Sequence, residues 1–105
     1  MRQRTKECLD GELIIAWELG ENTDLTTIKD YERRVAMTNR REGTSESHGH
    51  VIRLICEFLA SREGAQTDRQ IYAVLEGYTW EDYESAIATA LGCGFILGYV
   101  YLAGA

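Results

Sequence analysis

TDRQIYAVLEGYTWEDYESAIATALGCGFI, Thr67 to Ile96, is the stretch whose reading decides the fold, because its start signals, stop signals and apolar spacing agree on two short helices. Thr67 with Gln70 three residues later is the reciprocal pairing of a capping box: each side chain satisfies a backbone N–H of the other residue at the helix start. Ile71, Val74 and Leu75 then share one apolar face. Gly77 can take the left-handed conformation that ends a helix without a Cβ clash. Thr79 is placed to cap the next helix, with Glu81 and Asp82 in a first turn whose dipole favours negative charge. Trp80, Tyr83, Ile87, Ala90 and Leu91 recur at spacings of three and four, which predicts a second apolar stripe, and Gly92 and Gly94 close the run.

Outward from this stretch, Val51 to Glu63 is predicted as the hydrophobic anchor helix. Val51, Ile52, Ile55, Phe58 and Leu59 form a broad apolar face, and Gly64 is its stop. The polar run REGTSESHGH, Arg41 to His50, contains the linker expected over 43–50. Upstream, GENTD is turn chemistry, and a helix presenting Leu25, Ile28, Tyr31 and Val35 is predicted to start after Asp24 or Thr27. Between Cys8 and Glu21, Leu9, Leu13, Ala16 and Trp17 fit a helical stripe, and helix is the expectation. Gly11 weakens it, and ELIIAWEL also suits a buried strand, so a strand at Leu9 to Leu19 joining the C-terminal β structure stays open. At the other end FILGYVYL is β-rich. Phe95 to Leu97 and Val100 to Leu102 are expected to pair as a short hairpin over Gly98 and Tyr99. The predicted fold is therefore mainly α: one small helical domain with an N-terminal helical region at 1–42, the linker, and a region at 51–105 that ends in a β-hairpin.

Composition narrows the class. A chain of 105 residues with 45% apolar content suffices for one folded domain. The basic start, Arg2 to Lys6, is followed by Glu7, Asp10 and Glu12 and not by an apolar run, so a cytoplasmic location is expected. Three cysteines, Cys8, Cys56 and Cys93, without CxxC spacing and two of them in apolar helical contexts, read as buried reduced thiols. The net charge is −6, and all 11 basic residues lie at or before Arg69, while Gln70 to Ala105 holds Glu76, Glu81, Asp82, Glu84 and no cation. Such a balance disfavours nonspecific attraction to nucleic acid or anionic lipid.

Helix, short turn, capped helix, short turn, capped helix, then GCGFI and a β-rich tail resembles the winged helix-turn-helix superfamily over residues 51–102. The resemblance makes Thr67 to Leu75 the second helix, Trp80 to Leu91 the recognition helix, and Leu91 to Ile96 the phrase leading into the wing. It implies a DNA reader whose recognition helix enters the major groove. The residues depart from that implication. Glu81, Asp82, Glu84 and Ser85 stand where bases would be met, and the wing phrase holds no Lys or Arg. Phosphates repel those carboxylates, and fold alone does not fix function.

Other classes have less behind them. Ser85 to Ala105 is uncharged, with Ala86, Ala90, Gly94 and Gly98 spaced like a transmembrane packing face. Interrupting glycines, acidic flanking residues and the capped start at Thr79 favour a soluble core over a membrane anchor. His48 and His50 on a loop lack the further ligands a metal site needs. No phosphate loop or nucleophile motif occurs, so neither catalysis nor a cofactor is expected.

The preferred expectation is a small acidic, non-enzymatic regulator or inhibitor that binds a basic protein surface, with a charge profile similar to phage-encoded inhibitors such as DNA mimics and anti-CRISPR proteins. Candidate contacts are Glu76, Glu81, Asp82 and Glu84, joined by Glu18 and Glu21. The alternative is a DNA-binding regulator presenting Lys29, Arg33, Arg34, Arg40 and Arg41, as a homodimer whose N-terminal helices pair. The plainer reading of that basic region is a solvated mixed-charge helix.

Overall fold

Both capping boxes form in the computed structural model, which describes residues 12–42 and 47–103, with side chains described for 13–37 and 48–100. In chain order the elements are β1 (Glu12–Leu19), α1 (Leu25–Glu42), α2 (Ser47–Ala60), β2 (Gln66–Thr67), α3 (Asp68–Tyr72), α4 (Trp80–Gly92) and β3 (Ile96–Ala103). At Thr67, the hydroxyl accepts from the Gln70 N–H at 3.3 Å while the Gln70 side-chain oxygen accepts from the Thr67 N–H at 2.8 Å. At Thr79 the partner is Asp82, at 3.1 and 3.0 Å for the two reciprocal bonds. Gly77, with φ 85°, makes the left-handed step between α3 and α4 that a residue with a Cβ would resist. Of the two predicted starts for α1, Asp24 is the one used: its Oδ1 accepts from the Thr27 N–H at 2.8 Å.

Three expectations are corrected. The segment predicted as an N-terminal helix is strand β1 over Glu12–Leu19. Cys8 and Leu9 lie outside the described residues. Second, no hairpin turns over Gly98 and Tyr99. β3 is one unbroken strand whose antiparallel ladder with β1 runs from Glu12 opposite Ala103 to Leu19 opposite Ile96. Gly98 faces Trp17 in that register, and a Cβ there would sit 2.8 Å from Trp17 Cζ3. The glycine makes room for an indole and does not form a turn. Third, α2 begins at Ser47, so residues 47–50 of the expected linker are helical, while 43–46 lie outside the described residues.

β2 pairs with the other edge of β1 through Ala16–Thr67 and Trp17–Gln66, giving a three-stranded antiparallel sheet of order β2-β1-β3. Because side chains alternate along a strand, Trp17 and Leu19 face the helices and Glu18 faces away. The core gathers Val51, Ile52, Ile55, Cys56 and Leu59 of α2 with Ile28 of α1, Ile71, Tyr83, Ala86 and Ala90, and with Trp17 and Ile96 of the sheet. A fully buried side chain such as Ile52 or Ile55 is worth about 1.5–3 kcal/mol. α2 is thus the anchor that its sequence predicts. No helix among the described residues is long and apolar enough to cross a membrane.

Candidate interaction groove on α4

Asp68, the first residue of α3 after the Thr67 cap, is tied to two other elements. Its Oδ1 accepts from Trp17 Nε1–H at 2.7 Å and also from the Tyr83 hydroxyl, so one carboxylate oxygen joins β1, α3 and α4. Burial, then the hydrogen bond to Asp68 and its charge, push the Tyr83 hydroxyl far above its ordinary range and keep it a protonated donor. Above this tie the rings of Tyr72, Trp80 and Tyr83 pack on one another, with Trp80–Tyr83 centroids 5.0 Å apart and Tyr72–Trp80 edge-to-face at 5.2 Å. The Tyr72 hydroxyl donates to the Tyr78 carbonyl at 2.9 Å, which fixes the turn leading into α4.

Between β1 and α4 these contacts leave an open groove of about 310 Å³, walled by Trp17, Trp80, Tyr83, Ile87 and Leu91, with the carboxylates of Asp68 and Glu84 in its lining. Apolar spacing predicts Trp80 and Leu91 in the core stripe of α4. Instead they are 43% and 46% exposed, at the groove. Val74, predicted on the apolar face of the preceding helix, is likewise exposed, while Ile71 and Leu75 are buried.

The predicted acidic contacts fall into separate places. Glu76 is exposed in the turn before α4, and Glu81 and Glu84 are exposed three residues apart on the helix itself. Asp82 is also exposed, but its carboxylate accepts from the Thr79 N–H, so it serves the cap. Glu18 projects from the opposite face of the sheet, where a hydrogen bond to its carboxylate, its charge and that of Glu21 raise the Tyr99 hydroxyl above its usual range. The six residues therefore fall on different elements: Glu84 lines the groove, Glu81 is exposed three residues before it on α4, and Glu18 and Glu21 accompany Tyr99.

In the alternative basic region two guanidiniums share one carboxylate. Arg33 and Arg34 both reach Asp30, at 2.8 and 3.3 Å, and Lys29 is exposed beside them, while the side chains of Arg40 and Arg41 lie outside the described residues. Arg53 of α2 grips Glu32 of α1 at 2.6 Å and Glu57 at 2.7 Å, and His50 Nδ1 lies 3.0 Å from the other Glu32 oxygen. Burial pushes the Glu32 carboxyl up, but the hydrogen bonds from His50 and Arg53 outweigh it and leave the pKa lowered. Among the described residues no group of three or more His, Cys, Asp or Glu side chains is placed to hold a metal ion. Cys56 is buried as expected, its thiol pushed up to about 12 by burial, whereas Cys93, next to the end of α4, is exposed and corrects the prediction of a buried thiol.

Sequence reasoning missed Asp68 and Trp17 as partners. An aspartate in the first turn of a capped helix looks like a dipole partner, and nothing local links it to an indole 51 residues earlier. No protein-family model, curated protein or solved structure matches the chain, so the chemistry of the groove itself bears on its use.

Proposed function

We propose that this chain is a small, acidic, cytoplasmic, non-enzymatic regulator or inhibitor that binds a protein partner through the exposed side of α4. The observation that carries this reading is an aromatic groove at which Trp80 and Leu91 are exposed and which Glu84 lines, with Glu81 exposed three residues earlier on the same helix. Tryptophan in a partly formed pocket is the residue type that most often anchors a protein interface, and charges at the margin steer encounter and select the partner. A basic segment with apolar neighbours satisfies both parts of the site. The basic groove of a nucleic-acid-handling protein has that chemistry, which makes the acidic helix a mimic of nucleic acid.

In this reading α2, α3 and α4 supply a helix-turn-helix of winged-helix kind. β1 takes the place beside β3 that a returning wing strand would fill, so the wing is given up. The recognition-type helix then presents carboxylates to a basic protein, where a DNA reader would present cations.

Capture from a host lysate, with and without nuclease, using wild type and the E81K/E84K variant, tests the reading. Asp82 is left intact because its carboxylate caps α4. Capture that survives nuclease and is lost on charge reversal is expected, and capture unaffected by E81K/E84K would sink this interface. Salt-dependent binding of the pure chain to duplex DNA, lost on reversal of Lys29, Arg33 and Arg34, would favour the DNA-binding alternative instead.

A further inference from the structure

We propose that β3 pairs antiparallel with β3 of a second copy of this chain, so that two three-stranded sheets join into one. The sheet order leaves β3 hydrogen-bonded on one side only, to β1, and among the described residues no strand lies along its other edge. Such an edge presents a row of unpaired backbone N–H and C=O groups that templates a further strand unless it is blocked. Among the described residues the usual blocks are missing. The strand reads ILGYVYLA, without a charge or a proline, and its eight register pairs with β1 follow one another without a skipped residue.

Apolar side chains flank this edge on both faces of the sheet. Val100 is 64% exposed and sits opposite Ile15 at 45%, on the face that carries Trp17 but past the part covered by helices. Leu97 and Tyr99, each 44% exposed, lie on the other face. A continued sheet extends both rows and removes them from water together, which an isolated edge bond would not do.

Charge selects the occupant. At net −6, two copies repel one another over most of their surface, but β3 contributes no charge to a self-contact. The acids of the ladder are Glu12 and Glu18, both on β1, opposite Ala103 and Leu97. In the joined sheet their copies lie three strand spacings away, about 14 Å at ~4.8 Å per spacing and beyond the ~8 Å screening length of physiological salt. A basic foreign strand would gain nothing from an uncharged edge, whereas an antiparallel copy is self-complementary about a twofold axis. The inference rests on the free edge of β3 and not on the α4 groove, whose wall Trp17 stands opposite Gly98 on the strand's other side.

Sedimentation equilibrium over a concentration series tests it, with amide exchange of Leu97 to Tyr101 recorded alongside. Wild type is expected to approach twice the 11.9 kDa chain mass with slowed β3 exchange. L97K/V100K, altered at two exposed positions, is expected at the single-chain mass with fast β3 exchange and unchanged far-UV circular dichroism. If that pair does not fold, Y99K on one face alone serves in its place. E81K/E84K should stay at twice the mass, which separates this contact from the groove. A wild-type chain that remains single at every concentration overturns the proposal, as does L97K/V100K folding and remaining double.

Discussion

Asp68 accepts from the Trp17 indole and the Tyr83 hydroxyl, and those two side chains are only 9% and 1% exposed. Removing the acceptor strands two donors that water reaches poorly, and each such loss costs about 1–3 kcal/mol. D68A is therefore expected to lower stability by about 2 kcal/mol or more, read as a shift in the urea midpoint, with D68N losing less because one acceptor oxygen remains. An unchanged midpoint in D68A would show that the tie holds nothing. At this scale the sequence was legible where a residue's role is set by its immediate neighbours: Thr67, Gln70, Thr79, Asp82 and Gly77 behave as their order in the chain demands. Trp80 and Leu91 were misassigned to the core because a stripe at spacings of three and four spans more of the helix circumference than its packing partners cover. Gly98 was misread because a glycine that forms a turn and one that yields to an indole look alike in sequence.

Among the elements, α1 and α2 are clasped by Glu32, His50, Arg53 and Glu57, and the clasp has a predictable dependence on pH. The Glu32 carboxyl is lowered from its ordinary 4.5 in the folded chain, so it stabilises the fold fully above that value and less as pH falls through the lowered one. Thermal melts taken from neutral pH down through 4.5 should show wild type losing its advantage over E32Q in acid. Parallel curves for the two proteins would mean that the clasp contributes nothing to stability. Helices α3 and α4 could be read in advance because caps and stops are local. β1 could not. Its apolar residues fit a helical stripe and a strand alternation alike, and only the ladder with β3, some 80 residues later, decides between them.

For the whole molecule, the middle strand of the sheet comes from the N-terminal end of the described chain and its edge strands from the C-terminal half, so neither half carries a complete core. Among the described residues β2 and β3 each pair only with β1, and Ile28 of α1 packs in the cluster built on α2. A fragment of residues 51–105, the region of winged-helix resemblance, is expected to lack a cooperative thermal transition, while the full chain shows one by circular dichroism. A sharp transition in the fragment would show that residues 51–105 fold without β1 and α1. By itself the sequence determined the helices whose signals lie within a few residues: the anchor α2, the capped pair α3 and α4, and the acidic character of the surface that the last of these presents. Tertiary structure alone decided that 12–19 is a strand, that β3 is one unbroken strand along β1, and that Trp17, Asp68 and Tyr83 meet at one oxygen. Those outcomes depend on partners far along the chain, and the free energy that selects them exists only once the partners are brought together.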